Sequence, residues 1–180
     1  MRKLAIAAAL VFVSAPVFAQ DVKTDFDKNA NFTAIKTFAV KIGTSWNNPI
    51  SEKRVTDEIK QTLVEKGWTA TDADKADALV MLHGATEKQK TLNTFYSGMG
   101  GYGYRGWGGM GGMGTATTTT SEYLVGTLVV DIFDAKSKAL VFRGTATDEL
   151  SDKPEKNIKK MDKASNKMFK DFPPGSKEKK

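Results

Sequence analysis

The sequence predicts an α+β domain of two layers, a mainly antiparallel sheet of about five to six strands with two helices on one face. Three stretches carry that expectation. Residues 122–150 alternate with the period of a β-hairpin, whereas residues 48–67 and 151–172 repeat every three to four positions, as amphipathic helices do.

The chain has 180 residues, a formal net charge of +6 and no cysteine. Residues 1–19 read as a secretory signal peptide. Arg2 and Lys3 open it, an apolar core follows, and Val17-Phe18-Ala19 ends on a small residue suited to cleavage. The core is too short to span a bilayer and no later apolar run is long enough, so no integral membrane segment is expected after cleavage. Residues 20–175 then form one domain, large enough for its own core, and residues 176–180 a disordered basic tail. Without cysteine it folds on packing alone, although its leader sends it to an oxidising compartment. The expected location is the periplasm of a Gram-negative bacterium, or outside the cell.

Residues 22–26 make a first strand that turns through Asp27-Lys28-Asn29, and residues 36–42 a second. Asn48 caps the first helix and Pro49 takes its first position. Val55, Ile59, Thr62, Leu63 and Lys66 share one side, and Gly67 ends the helix where a left-handed residue is wanted. Residues 68–71 allow a short strand. Asp72, Asp74 and Asp77 follow without the Gly and Glu of a standard Ca²⁺ loop, and read as a solvated connection. Residues 78–88 make a strand that begins buried and ends polar.

In the hairpin, Leu124, Gly126, Leu128, Val130 and Ile132 share one face, and Tyr123, Val125, Thr127, Val129, Asp131 and Phe133 the other. Asp134 opens a polar turn whose backbone its carboxylate can bond. On the returning strand Leu140, Phe142, Gly144 and Ala146 face one way, and Val141, Arg143, Thr145 and Thr147 the other. Asp131 and Arg143 can pair across the hairpin, as a surface ion pair contributing ~0.2–1 kcal/mol. Asp152 or Ser151 is expected to cap the last helix. Ile158, Met161, Ser165, Met168 and Phe172 line its apolar side, six lysines from Lys156 to Lys170 crowd the rest, and Phe172-Pro173-Pro174-Gly175 stops it.

These residues also carry a resemblance. Gly126-Thr127-Leu128, Asp131, Asp134, Val141-Phe142-Arg143-Gly144 and Phe172-Pro173-Pro174 follow in the order of a bacterial family of exported proteins and lipoproteins. Asp25-Phe26-Asp27, Phe32, Lys36-Thr37-Phe38 and Lys66-Gly67-Trp68 extend the likeness over nearly the whole mature chain. The family shares a domain of unknown function, so the resemblance implies a fold and a compartment and no mechanism. Two departures stand out: Phe142 replaces the more usual Trp, and the absence of cysteine removes the lipidation site.

One stretch stands apart. Ten of the sixteen glycines fall between Gly98 and Gly114, inside a Gly/aromatic-rich loop spanning residues 95–120. Glycine at this density makes any single conformation costly, so a mobile excursion between two strands is expected. As a phosphate cradle it fails, because a strand and not a helix follows. As a nucleic-acid site it offers only Arg105 between Tyr104 and Trp107, in the wrong compartment, so nucleic acid is not an expected partner. As an adaptable contact surface it presents Tyr96, Met99, Tyr102, Tyr104, Arg105, Trp107, Met110 and Met113 to an envelope protein, glycan or lipid headgroup. As a tolerated insertion it has no partner at all.

His83 is the single histidine, with no second His or Cys for a metal site and no sequence grouping that suggests a triad. A small envelope hydrolase would need it to meet a carboxylate such as Asp131 or Asp134. The lysine-rich helix could instead lie on an anionic membrane surface, although docking on its own sheet is the favoured reading. The expectation is a non-enzymatic interaction or structural module of the envelope, with no cofactor, metal or catalytic residue.

Overall fold

The computed structural model describes residues 20–96 and 116–174. In chain order the elements are β1 (Asp21–Phe26), β2 (Thr37–Thr44), α1 (Pro49–Glu65), β3 (Thr69–Ala70), β4 (Ala78–Tyr96), β5 (Ala116–Asp134), β6 (Leu140–Leu150) and α2 (Pro154–Met168). They build one sheet of six strands in the order β1-β6-β5-β4-β2-β3. The β1–β6, β6–β5 and β5–β4 pairs are antiparallel, whereas β2 runs parallel to both β4 and β3. A parallel pair needs a long crossover, and α1 supplies it between β2 and β3. The predicted α+β architecture is therefore present, with a mixed sheet.

The period-2 pattern assigns the faces. Val80 and Leu82 on β4, Val130 and Ile132 on β5, and Phe142 and Ala146 on β6 join one core with Ile59 and Leu63 of α1 and Met168 of α2. The two helices meet over that face through a buried hydroxyl pair, Thr62 Oγ1 to Ser165 Oγ at 2.7 Å. At one end of the core the rings of Phe32, Trp68, Phe142 and Phe169 all surround Phe172, with centroids 4.9 to 5.9 Å away. The segment that stops α2 is thus also the centre of an aromatic cluster.

Local chemistry explains the boundaries. The Asn48 carboxamide accepts from Ser51 N at 3.1 Å, with Pro49 at the first helical position, and Gly67 follows α1 at φ +90°. Asp134 Oδ1 accepts from the backbone of Lys136 and Ser137 and from the Ser137 hydroxyl, closing the β5–β6 turn. The two Ser137 bonds lead in holding its carboxyl below the usual carboxylate range.

Asp77 sits between the aspartate-rich connection and β4. Its Oδ2 accepts from Lys36 N, Thr37 N and Thr37 Oγ1, pinning the start of β2 beside β4 and lowering the Asp77 pKa. Asp77 is a staple between strands, more than solvated connection.

Four sequence expectations need correction. The cap residue of α2 is Lys153, without a side-chain cap bond. Asn157 performs the task from inside the helix: its carboxamide accepts from Ser151 N and donates to Ser151 O. Leu140 is exposed, because the β5–β6 register shifts between Ile132 and Phe133 before regular pairing resumes. Ile158 is 41% exposed, so the apolar side of α2 that packs inward begins at Met161. Finally, β4 runs to Tyr96 and β5 begins at Ala116, so both ends of the stretch read as a loop are strand.

Candidate functional site: the β4–β5 arm and the open sheet face

The antiparallel β4–β5 ladder runs unbroken from Ala78 opposite Asp134 to Tyr96 opposite Ala116. Its neighbours stop much earlier. β2 leaves β4 at His83, and β6 leaves β5 at Leu124. From the Gln89–Tyr123 pair to the Tyr96–Ala116 pair, the ribbon is two strands wide, and its residues of described burial are not among the hydrophobic core. Its eight residue pairs give a length of ~26 Å at the usual rise per residue.

A two-stranded ribbon of this kind is marginal in water without a partner. Cross-strand contacts support its base: Tyr123 Oη donates to Gln89 Oε1 at 3.0 Å, and Lys90 pairs with Glu122 at 2.8 Å. The edge of such a ribbon is the kind of surface to which another strand adds.

Of the sequence-derived contact residues, Tyr96 forms the end of the arm. Met99, Tyr102, Tyr104, Arg105, Trp107, Met110 and Met113 lie outside the described residues. The long hairpin is legible in sequence as far back as Glu122. The threonine run from Thr117 to Thr120 is the signal, through its β-branching, that the strand begins earlier.

The second candidate lies on the sheet face away from the helices. The β2–β4 register shifts between Ile42 and Thr44, and this bulge sets Thr44 opposite His83. The His83 ring covers Gly43, where a Cβ would stand 2.3 Å from it. Thr44 Oγ1 is 2.9 Å from His83 Nδ1, and His83 Nε2 is 3.8 Å from Asp131 Oδ2. Both Asp131 oxygens accept from Arg143 at 2.6 Å, one from Nε and one from Nη2.

Asp131 and Arg143 do pair across the hairpin, but this is no surface ion pair, since Asp131 is only 3% exposed. Hydrogen bonding to Asp131 raises the Arg143 pKa further. The structure brings His83 close to Asp131 and leaves Asp134 bound in its turn. At 3.8 Å the imidazole is outside hydrogen-bond reach of a carboxylate that Arg143 already holds through both oxygens. The cluster is a polar strip with Arg143 as its principal counter-charge. Among the described residues, no group of three His, Cys, Asp or Glu side chains could hold a metal ion.

The lysines of α2 are the third candidate. Lys160 donates to Asp148 Oδ1 and Glu149 O, and Lys167 to Gln20 O, while Ala164, Ser165 and Met168 are buried. This helix docks its apolar side on its own sheet. No helix of the described residues is long and apolar enough to cross a membrane.

The fold and this arrangement define a two-layer α+β domain with a long β-arm running off its sheet. The chain belongs to the family of the domain of unknown function DUF4136, whose pattern matches residues 22–174. Among solved structures it is similar to a PDZ domain protein from Parabacteroides distasonis (TM-score 0.55, 17% identity), over 86% of this chain and 36% of that one. It therefore spans about a third of that protein's length, and at this identity the likeness is one of fold. It also resembles a PelC dodecamer subunit from Paraburkholderia phytofirmans (TM-score 0.49, 15% identity), over 84% of this chain and 96% of that one. No curated protein matches the chain.

Proposed function

We propose that this protein is a non-enzymatic interaction module of the bacterial cell envelope, exported by its leader and not lipidated. Its contact organ is the β4–β5 arm together with the segment from Tyr96 to Met113. The observation that carries the proposal is the ribbon itself, eight residue pairs extending past all flanking strands and apart from the core. The partner is an envelope protein that pairs with the arm edges and covers the aromatic and Met side chains at the tip.

A photoreactive residue placed at Tyr96, at Thr145 on the open face, or at Lys159 on α2 tests this in living cells. Adducts from Tyr96 alone support the arm. Adducts from Thr145 or Lys159 without any from Tyr96 overturn it.

A second reading, a hydrolase acting through His83, has one observation in its favour: the approach of His83 to both Thr44 and Asp131. It requires ester turnover that His83→Ala abolishes. Turnover indifferent to that substitution removes it.

A further inference from the structure

A cavity lies elsewhere, between the sheet and the two helices. On the helix face of the sheet, Gly84, Leu128 and Ala146 form one cross-strand row, and Thr86, Gly126 and Asp148 the next. Three of these six positions carry no more than a methyl group, where large apolar side chains would otherwise continue the core. Trp46 lies over Gly84 and Leu150 over Gly126, each closer than an added Cβ would tolerate. Val55 of α1 and Met161 and Ala164 of α2 complete the walls. They line a half-open cavity of about 160 Å³, a volume able to hold a benzene-like ring.

The polar groups converge at one side. Lys160 Nζ bonds Asp148 Oδ1 at 2.9 Å and Glu149 O at 2.6 Å, so this acid and base neutralise each other. Gln20 Nε2 donates to Lys160 O at 2.8 Å. That bond fixes the orientation of the carboxamide, since only its nitrogen can donate to a carbonyl. Gln20 Oε1 is left buried, with no hydrogen-bond partner among the described residues. An orphaned acceptor beside an apolar slot asks for a donor attached to an apolar body.

We infer that this cavity binds a small uncharged amphiphile, an apolar ring or short chain bearing one O–H or N–H that donates to Gln20 Oε1. An anion meets an acceptor in Gln20 Oε1 and finds Lys160 already paired with Asp148. A cation finds no carboxylate that Lys160 has not already paired. The site is independent of the arm, so the two proposals fail separately.

The test uses a pair of near-isosteres, 4-ethylphenol and 4-ethyltoluene, titrated into the purified full chain and followed by amide NMR shifts. The inference predicts saturable shifts at Gly84, Gly126, Ala146 and Ala164, with the phenol bound ~10-fold tighter than the hydrocarbon. Gln20→Met should erase that preference and leave the hydrocarbon affinity in place. Ala164→Leu, which fills the cavity, should abolish binding of both. Equal affinities in the unaltered chain, an unchanged preference in Gln20→Met, or shifts that never saturate would each overturn the inference. The Gln20 variant keeps the test decisive even where the filled variant does not fold.

Discussion

A carboxylate on a β-sheet is stable only while something replaces its lost water. At Asp131 that replacement is Arg143, whose planar fork meets both oxygens at once. Arg143 itself remains about half exposed, so it pays little desolvation of its own. Arg143→Leu takes from the buried carboxylate the partner of both its oxygens, and is expected to cost about 1–3 kcal/mol in urea unfolding. The double variant Asp131→Leu/Arg143→Leu should recover much of that loss, because removing both partners leaves no uncompensated charge.

Glu58 poses the opposite case at the helix–helix seam. Burial first, and then the charge of Asp162, raise its pKa. The folded state therefore favours protonated Glu58, and the ionised form is a liability that grows as pH rises past its ordinary range. Glu58→Gln should raise the melting temperature slightly at pH 7 and leave it unchanged below about pH 4. Thermal melts of both proteins across that range check the sign, and a benefit that persisted at low pH would contradict this assignment.

At the scale of elements, the family motifs turn out to mark the core. Phe32, Phe38, Trp68, Phe142 and Phe172 lie in or against the aromatic cluster, and Asp134 closes a turn. These aromatic motif residues therefore report how the chain folds. Phe172 touches four rings and is buried, so Phe172→Ala is expected to cost ~3–5 kcal/mol, measured by chemical denaturation.

Strand alternation and helix spacing made the α+β class, both helices and the faces of the hairpin legible from sequence. The parallel placement of β2 between β4 and β3 was not, because alternation describes a strand and says nothing about its neighbours. The Thr44–His83–Asp131 approach was hidden for a similar reason. It depends on a bulge at Gly43, and a lone glycine in a strand gives no direction to the residue after it. The α2 cap was misread because Asn157, already inside the helix, takes up the Ser151 backbone groups.

At the scale of the molecule, the sheet divides into two kinds of structure. Its covered half packs against both helices, whereas the described side chains of the arm take no part in the core. If the arm is the contact organ, as proposed, folding and contact fall to different residues, and variation in the arm is expected to leave the fold intact. The most direct measurement removes the arm cleanly. Deleting residues 90–122 and joining Gln89 to Tyr123 through Asn-Gly, a favoured two-residue hairpin turn, leaves every core residue in place. The account predicts an unchanged melting temperature together with loss of the envelope cross-links formed by the intact chain. A shortened protein that folds equally well and keeps those cross-links would contradict it.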